Sequence, residues 1–275
     1  MGTQYYDGSF YTFVVGPSWN EAKSNAEKLG GQLVSINTAE EQQFIYDNFV
    51  VNADKDIWIG LSDTEVEGNF KWLDGTPLNY ANWAPNEPSN GGNQEDWVHI
   101  WSPIHGDSRY SAVRQPGDWN DWVERPNDNL QGLAEIPVQT FGDKAYFIID
   151  ASTWTEGEAT AQSLGGHLAS INSKEEQDFI YNNLVKDNGI GVWIGGNDSE
   201  VEDDENTSVT WKWSDDSPFV YTKWHSGQPN NYNEQDFITL SKWGKWSDNQ
   251  DSLKLPGVIE IDLPNPSPTN LAIKS

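Results

Sequence analysis

The chain has 275 residues with 15 Trp, 10 Tyr and 10 Phe, which is enough apolar surface for two compact interiors and excludes general disorder. Its 43 acidic and 16 basic residues give a formal charge of −27, so nucleic acid is an unfavourable partner and cations are more natural ones. The lack of cysteine excludes thiol catalysis, and the lack of a run of 18 apolar residues argues against membrane insertion.

A long repeat divides the chain into two halves. The segment Gly-Gly-Gln-Leu-Val-Ser-Ile-Asn at residues 30–37 returns as Gly-Gly-His-Leu-Ala-Ser-Ile-Asn at residues 165–172. The Trp-Ile-Gly segment at Trp58 returns at Trp193 with the same shift. A period this long corresponds to a whole domain. The repeat predicts domain 1 at 1–138, domain 2 at 139–263, and a proline-rich linker or the start of another module at 264–275.

Each half opens with a short apolar strand that two helices follow. The helix starts are predicted by capping boxes, in which a Ser or Thr precedes a Glu by three residues. These boxes are Ser18 with Glu21, Thr38 with Glu41, Thr153 with Glu156, and Ser173 with Glu176. Glycine pairs at Gly30 and Gly165 end the first helix of each half.

Short strands rich in Trp, Val and Ile follow the helices, which predicts an α+β fold. In the first half the predicted strands are residues 11–15, 58–61, 70–73, 96–101 and 133–136. A long irregular stretch, residues 74–94, lies between them, and a loop of that length inside a domain is usually functional or disordered.

Oxygen-bearing side chains flank this long loop in the first half. They are Asp63, Glu67, Glu87, Ser89, Asn90, Glu95, Asp96, Asn120 and Asp121. Calcium takes six to eight oxygen ligands and tolerates irregular geometry, whereas magnesium prefers fewer protein ligands, so the pattern indicates Ca²⁺. Pro88 could hold a cis peptide that directs the side chains of Glu87 and Ser89 to one point.

These segments resemble the C-type lectin domains over nearly the whole of both halves. The resemblance is carried by Trp-Ile-Gly-Leu-Ser-Asp-Thr-Glu-Val-Glu-Gly from Trp58, Glu87-Pro88-Ser89, Glu95-Asp96 and Trp119-Asn120-Asp121. It implies an α+β fold of two C-type lectin-like domains in tandem, each with two helices, a small mainly antiparallel sheet and a long calcium-binding loop. The cysteine-free sequence favours a bacterial type.

The resemblance also implies two calcium sites in domain 1. The sugar-site calcium would be held by Glu87, Ser89, Glu95, Asn120 and Asp121, and the same five residues would bind the carbohydrate. The outer calcium would be held by Asp63, Glu67, Asn90, Glu95 and Asp96. Ser89 departs from the family pattern, in which Asn or Asp is usual, because it offers a hydroxyl where a carbonyl or carboxylate oxygen is common.

Domain 2 departs further from the family pattern. Its implied calcium ligands are Gln228, Asn230, Glu234, Gln235, Asp248, Asp198, Glu202 and Asp236, with Pro229 as a second cis-proline candidate. Two alignments stay open, because either Gln235 or Glu234 can stand at the position of Glu95. Since calcium affinity rises with the number of charged ligands, domain 1 is expected to bind more tightly than domain 2.

Other residues receive less specific predictions. Where family members carry a disulfide, this chain has Ala26 with Ala134 and Ala161 with Ile259. The tryptophans expected in the core are Trp58, Trp72, Trp193 and Trp213, whereas those expected near the loop face, where they could stack on a sugar, are Trp101, Trp122 and Trp243. The four histidines, His99, His105, His167 and His225, show no metal-ligand spacing and are interpreted as incidental.

The resemblance implies a calcium-dependent carbohydrate-binding module of a cell-surface adhesin. In the family, adjacent sugar hydroxyls bind the calcium directly, and mannose-, fucose- and galactose-type glycans all remain open for this chain. The alternative is a protein-binding or structural module without sugar binding, because the same fold serves both. An enzyme is not expected, since no carboxyl group stands apart from the implied calcium ligands as a proton donor. Calcium demand and acidity favour the outside of a bacterial cell, in a larger multidomain surface protein.

Overall fold

A computed structural model describes residues 2–103, 114–125, 128, 130–198, 211–233 and 235–264. The chain forms two units, Met1–Pro137 and Val138–Ser275, each with its own core. Apart from Pro264, the predicted linker at 264–275 lies outside the described residues. Within the described ranges, no helix has the length and apolar character needed to cross a membrane.

Domain 1 is a mixed sheet with two helices. Its elements are β1 (Gln4–Tyr6), β2 (Ser9–Val14), α1 (Trp19–Lys28), β3 (Gln32–Leu33), α2 (Ala39–Ile45), β4 (Asp56–Ser62), β5 (Lys71–Trp72), β6 (Trp97–Ile100), β7 (Trp119–Trp122) and β8 (Leu130–Pro137). The strand order is β1-β2-β8-β4-β6-β7, with β3 beside β8 and β5 beside β4. All pairs are antiparallel except β4 with β8. One π-helical turn, Tyr46–Val50, extends α2.

Domain 2 repeats this plan. Its elements are β9 (Gln139–Phe141), β10 (Lys144–Ser152), α3 (Trp154–Ser163), β11 (His167–Leu168), α4 (Lys174–Ile180), β12 (Val192–Asn197), β13 (Lys212–Trp213), β14 (Phe237–Leu240), β15 (Trp246–Asn249) and β16 (Leu255–Asp262). The strand order is β15-β14-β12-β16-β10-β9, and β12 with β16 is the parallel pair. A π-helical turn, Tyr181–Val185, extends α4. The predicted α+β fold with two helices in each domain is confirmed.

The four predicted helix starts are confirmed, but only one is a complete capping box. Each N-cap oxygen accepts from the backbone N–H three residues on. Only Glu156 also accepts from its own N-cap N–H, that of Thr153. In α2, Glu41 instead accepts from the N–H of Asn37 at 2.9 Å and from the hydroxyl of Tyr11 at 3.0 Å. The reciprocal bond is lost there because the carboxylate is turned into the core.

Tryptophans occupy equivalent core positions in the two domains. Trp58, Trp72, Trp193 and Trp213 are buried, as the sequence predicts. Trp119 and Trp246 are fully buried, and each indole N–H donates to a helix glutamine, Gln42 at 2.9 Å and Gln177 at 2.7 Å. Ala26 and Ala134 lie in one buried apolar cluster. Apolar contacts therefore occupy this pair of positions, where family members carry a disulfide.

Both domains bury an acidic pair beside a tyrosine, but only domain 2 supplies a cation. In domain 1, Ser9 donates to Glu135 at 3.1 Å, and burial raises the pKa values of Glu41 and Glu135. In domain 2, Lys144 stands in the place of Ser9 and forms a salt bridge with Glu260. Burial raises the pKa of Glu260 to about 7 even though Lys144 acts to lower it.

Candidate functional site

In domain 1 the long loop is attached to β7 through Asp121. The N–H of Ser89 donates to Oδ1 of Asp121 at 2.9 Å, and the N–H of Asn90 donates to Oδ2 at 2.7 Å. Asp121 is 1% exposed. The Glu87–Pro88 peptide is cis, and Asn90 adopts the left-handed backbone conformation with φ of 46°, which Asn accommodates better than most residues. Asp121 therefore fixes the loop next to its own carboxylate.

Glu95 closes the same loop from the other end. Its Oε2 accepts from the hydroxyl of Ser89 at 3.0 Å and from the N–H of Gly91. A Cβ at residue 91 would lie 2.8 Å from Oε1 of Glu95, so a larger residue there would have to displace this carboxylate. Because charge-assisted hydrogen bonds are stronger than neutral ones, Glu95 holds the loop in a curve with its carboxylate inside.

Glu87 joins this cluster as a third carboxylate. Burial raises its pKa, the neighbouring Asp121 raises it further, and Arg114 lowers it. The Nη2 atom of Arg114 lies 3.7 Å from Oε1 of Glu87. Contacts therefore connect Glu87, Ser89, Glu95 and Asp121, four of the five residues predicted for the sugar site.

Asn120, the fifth predicted residue, faces the other side of β7. Neighbouring strand residues point to opposite faces, so Asn120 and Asp121 diverge. The Nδ2 of Asn120 lies 3.1 Å from Nε2 of His99 and donates to the backbone oxygen of Asp121 at 2.6 Å. Nδ1 of His99 is 3.8 Å from a carboxylate oxygen of Asp56. Three buried side chains thus follow one another beneath the loop, in the order Asp56, His99 and Asn120. The contact with His99 sets the direction of the Asn120 amide.

The predicted outer set of domain 1 centres on Asp63. Asp63 is 3% exposed and accepts from the N–H of Gly68 at 2.8 Å, and its own N–H donates to the backbone oxygen of Asp96 at 3.2 Å. Desolvation and the charge of Asp63 raise the pKa values of both Glu67 and Asp96. The structure therefore places Asp63, Glu67 and Asp96 close enough to repel one another, which a shared cation would relieve.

Unpaired buried oxygens coincide with the implied calcium ligands in both domains. Within the described ranges, six buried acceptor atoms of these residues have no hydrogen-bond donor: Asp63 Oδ1, Glu87 Oε2, Asn90 Oδ1, Asp198 Oδ1, Gln228 Oε1 and Asp248 Oδ1. A buried acceptor without a donor costs about 1 to 3 kcal/mol, so such atoms are usually satisfied. Hard cations bind carboxylate and amide oxygens of this kind. These carboxylate and amide oxygens are therefore a set of ligand atoms that fits calcium.

Carboxylates alone do not form the site. No three His, Asp or Glu side chains among the described residues are placed to hold a metal ion by themselves. Calcium accepts amide, hydroxyl and backbone oxygens as well as carboxylates, and it tolerates irregular geometry. The mixture of Glu, Asp, Asn and Ser around the loop is therefore suited to calcium more than to a metal that prefers nitrogen or sulfur ligands.

Domain 2 repeats the loop attachment of domain 1. Oδ2 of Asp248 accepts from the N–H of Asn230 at 2.8 Å and of Asn231 at 2.6 Å, and the Gln228–Pro229 peptide is cis. Asn231 has φ of 46°, the same value as Asn90. Asp248 is therefore the counterpart of Asp121.

Strand register decides which residue of domain 2 corresponds to Glu95. Trp97 pairs with Ser62 in domain 1, and Phe237 pairs with Asn197 in domain 2. The N–H of Asp198 donates to the backbone oxygen of Asp236 at 3.0 Å, as Asp63 does to Asp96. Asp236 thus aligns with Asp96, so sequence order alone puts the neutral Gln235 at the position of Glu95. The other candidate, Glu234, and the outer ligand Glu202 lie outside the described residues.

The loop of domain 2 uses its amide oxygens internally. Oδ1 of Asn230 accepts from the N–H of Tyr232 at 2.9 Å, and Oδ1 of Asn231 accepts from the N–H of Gln235 at 3.1 Å. Burial, followed by the charges of Asp236 and Asp248, raises the pKa of Asp198 to about 6. Domain 2 therefore keeps acidic residues near the outer position, and among the described residues of its loop the neutral Gln228 and Gln235 stand where domain 1 has Glu87 and Glu95.

The three candidate stacking tryptophans have different surroundings. Trp101 packs 4.6 Å from His99, and Arg114 lies 4.4 Å above its ring. Trp122 packs against the α1 side of the sheet. Trp243 is 72% exposed in the turn between β14 and β15. Trp101 reaches a site residue through Arg114 and Glu87, and Trp122 reaches another through His99 and Asn120.

Two features of the site are missed by the sequence reading. His99 is interpreted from sequence as incidental, but it is buried against Asn120. Its alternation with Val98 in β6, opposite Asn120 in β7, is a signal that could identify it once the register is known. Arg114 lies in a stretch that domain 2 lacks, so the internal repeat gives no information about it.

Comparisons with known proteins agree with this architecture. The family model described as the Lectin C-type domain matches residues 15–122 and again residues 150–258. Among solved structures, the mouse scavenger receptor C-type lectin carbohydrate-recognition domain is 31% identical with a TM-score of 0.41, and the match covers 46% of this chain and 94% of that domain.

Similar proteins of known identity are animal receptors. Human C-type mannose receptor 2 is 29% identical over 261 residues, which is 88% of this chain and 17% of the receptor. The mouse low affinity immunoglobulin epsilon Fc receptor is 42% identical over 103 residues, which is 38% of this chain and 26% of the receptor. The chain thus spans a small part of these relatives. They give no support to the bacterial origin expected from the sequence.

Proposed function

The chain belongs to the C-type lectin family, and from this premise we propose that it is a calcium-dependent carbohydrate-binding protein whose first domain carries the stronger site. Domains of this family are generally binding modules without enzymatic activity. The observation that carries the proposal is the set of buried, unpaired acceptor oxygens on Asp63, Glu87 and Asn90. They belong to the residues that the family resemblance selects for calcium.

In domain 1, two carboxylates position the loop that carries the ligand oxygens. Asp121 draws the backbone of Ser89 and Asn90 against β7, and Glu95 draws Ser89 and Gly91 inward. Oxygens from two distant segments of the chain are thereby brought together before any ligand arrives, which reduces the ordering cost of binding.

The residues that would hold the sugar-site calcium are Glu87, Ser89, Glu95 and Asp121, whereas the fifth predicted ligand, Asn120, is held against His99 and would have to turn to join them. Those for the outer calcium are Asp63, Glu67, Asn90, Glu95 and Asp96. When bound, calcium supplies open coordination positions for two adjacent hydroxyl groups of a sugar. Ser89 is exposed at the loop surface, where its hydroxyl can hydrogen-bond a sugar hydroxyl, and the largely buried Glu87 lies beside it. Mannose-, fucose- and galactose-type glycans are all compatible with these groups.

Domain 2 is proposed as a weaker second site. Gln228, Gln235 and Ser247 replace charged or amide ligands of domain 1, and calcium affinity falls with fewer charged ligands. Two linked sites still gain avidity on a dense glycan surface. Affinities of about 0.1 to 1 mM are typical of extracellular calcium modules, so we place the protein outside the cell, within a larger surface receptor or adhesin.

The test is glycan binding by the full chain in millimolar calcium and then in excess chelator. We expect binding to neutral mannose-, fucose- or galactose-type glycans that chelator abolishes. Asp121→Asn should remove most of this binding. The control is Glu65→Gln, which removes one negative charge from an exposed side chain that pairs with Lys71 and belongs to neither ligand set. Glycan binding that persists in chelator would refute the proposal.

A protein-binding role is the second candidate. Ser89 and Glu95 hydrogen-bond each other, so two sugar-site residues already have partners within the loop. This role predicts that calcium stabilises the loops and that no glycan binds. A calcium-dependent rise in melting temperature without glycan binding would favour it.

A further inference from the structure

An exposed aliphatic side chain lies beside the start of α4 in domain 2. Val220 is 74% exposed and directly precedes Tyr221. Burial, followed by the charge of Asp178, raises the pKa of Tyr221, whereas the charge of Lys174 acts to lower it. Lys174 is the first residue of α4. Because charge effects are screened over short distances in water, Val220 lies near the start of this helix.

An exposed aromatic side chain lies beside the other end of α4. Trp243 is 72% exposed in the turn between β14 and β15, and Nζ of Lys242 lies 4.9 Å from the centre of its ring. The hydroxyl of Tyr181, the residue that follows α4, donates to the backbone oxygen of Lys242 at 3.2 Å. Gly244 has φ of 73°, and a Cβ there would lie 3.3 Å from the ring of Tyr181, so the turn packs on this tyrosine. Since α4 has seven residues, its two ends are about 10 Å apart.

Four lysines lie on the same side of the domain: Lys174, Lys223, Lys242 and Lys245. Asp178 forms ion pairs with Lys174 and with Lys223, and Nζ of Lys223 is 3.4 Å from Oδ1 of Asp178. Lys242 and Lys245 are exposed and form no ion pair among the described residues. Glu175 is the other carboxylate whose charge acts on Lys174. Positive charge is therefore in excess on this side.

Together these side chains form the lysine face of domain 2, which consists of Lys174, Val220, Lys223, Lys242, Trp243 and Lys245. The N–H of Trp246 donates to the backbone oxygen of Lys223 at 2.9 Å. In domain 1 the N–H of Trp119 makes the same bond with Asn82 at 2.7 Å, so Asn82 is the counterpart of Lys223. The residues that match Lys174, Val220 and Lys245 are Ala39, Asn79 and Asp118. The corresponding surface of domain 1 thus has neutral or acidic residues at these positions.

The turn that carries Trp243 lies away from the candidate calcium loop of domain 2. Leu240 pairs with Trp246 next to the turn, whereas Ile238 pairs with Asp248 toward the other end of the same two strands. Asp248 is the residue that holds the loop. A ligand at the turn therefore does not need the calcium ligands.

The composition of the lysine face selects one class of partner. Val220 is aliphatic, so covering it requires an apolar side chain opposite it. Trp is among the residues most enriched at binding hot spots of protein interfaces, and the lysines require carboxylates opposite them. A long polyanion would also meet the rest of a chain whose net charge is −27, and a symmetric pair of copies would place lysines against lysines. A short acidic polypeptide with apolar side chains meets all of these conditions.

We propose that the lysine face of domain 2 is a docking surface for an acidic polypeptide segment of a partner protein. Apolar side chains of this segment cover Val220 and Trp243, and its carboxylates pair with the lysines between them. This docking goes beyond glycan binding and is independent of calcium.

The test is selection of displayed random peptides on the full chain. The selection is made in excess chelator, so that the candidate calcium sites do not contribute, and the selected peptides are sequenced and synthesised. We expect peptides rich in Asp and Glu with apolar residues between them, and their affinity should fall as salt is added because the charges are screened. A selection that yields no binders, or binders without an acidic excess, overturns the proposal.

Matched variants of the full chain locate the binding. Lys242→Glu combined with Lys245→Glu reverses two charges and should weaken binding of the selected peptides about tenfold or more. Trp243→Ser should weaken it about tenfold, because an exposed Trp that becomes buried on binding acts as a hot spot. Lys254→Glu and Leu253→Ser are the controls, since both residues are exposed in the segment before β16 and lie outside the lysine face. The controls should change the affinity by less than about twofold.

Two competing occupants are tested on the same proteins. Dextran sulfate that binds the wild type more tightly than the selected peptides, and that is released by Lys242→Glu combined with Lys245→Glu, would make the face a polysaccharide site and overturn the proposal. Self-association of the wild type in sedimentation, abolished by the same double variant, would make a second copy the occupant and also overturn it. Because the substituted side chains are exposed, melting temperatures should be equal across the series. Losses of affinity as large in the controls as in Trp243→Ser overturn the assignment to this face.

Discussion

Domain 1 and domain 2 share their internal contacts but differ in the charges around the loop. Trp119 with Gln42 corresponds to Trp246 with Gln177, and Asp121 receives the same two loop amides as Asp248. Around these shared contacts, Glu87 and Glu95 become Gln228 and Gln235. Both loops thus share the aspartate that attaches them to the sheet, whereas the charge at two other predicted ligand positions differs.

The largest effect should appear in the shared core. Trp119→Ala and Trp246→Ala each remove a fully buried indole and its hydrogen bond to a helix glutamine, so each should lower the free energy of unfolding of its own domain by about 3 to 5 kcal/mol. Denaturant unfolding of the full chain measures the loss, and hydrogen exchange assigns it to a domain. If the two variants lost unfolding free energies that differ by more than about 2 kcal/mol, the two cores would not be equivalent.

A smaller effect should appear in how the stability of each domain depends on pH. The pKa of Glu260 is raised to about 7, above its usual 4.5, so its contribution to stability is present below about pH 4.5 and is lost as pH rises through 7. Lys144→Ser copies Ser9 of domain 1 and removes the cation, which should cost about 1.5 to 3 kcal/mol at pH 8 and much less at pH 5. Melting temperature against pH is the measurement.

The converse variant is the control for this charge difference. Ser9→Lys should supply domain 1 with the cation that Glu135 lacks, and it should stabilise that domain more at pH 8 than at pH 5. If Lys144→Ser were equally costly at both pH values, loss of packing and not of charge would be the cause.

A reciprocal exchange at the loop tests whether ligand charge sets the difference in calcium affinity. Glu95→Gln should weaken calcium binding by domain 1 by about tenfold, and Gln235→Glu should strengthen domain 2 by a comparable factor, since affinity follows the charge count of the ligands. Calcium calorimetry on the two variants and the wild type measures both changes. An unchanged domain 2 in Gln235→Glu would show that another residue takes the position of Glu95.

The duplicated elements are those that the sequence could predict. The gapless shift from Gly30 to Gly165 and the Ser or Thr caps carry local information, so both helix pairs follow from sequence alone. The fold class followed from the order of these elements and from the family motif. The residues of the candidate ligand sets came from that motif, and contacts in the structure connect most of the sugar-site set.

The remaining features depend on register and on insertions, which local patterns do not encode. The strand β7 is not among the predicted strands, because Asn and Asp are uncommon in strands, so its pairing with β6 was not predicted. The alignment of Asp236 with Asp96 needs the pairing of Phe237 with Asn197. Arg114 reaches Glu87 from a distant segment that has no repeat partner.

Calcium titration of the full chain by calorimetry, for the wild type, Asp121→Asn and Asp248→Asn, tests whether domain 1 carries the stronger calcium site. Both aspartates are 1% exposed and receive two backbone amides from their loops, so the substitutions are matched in context. Asp121→Asn should remove the tightest calcium-binding event, whereas Asp248→Asn should leave it in place and affect only weaker binding. Identical titrations for the wild type and Asp121→Asn would contradict it.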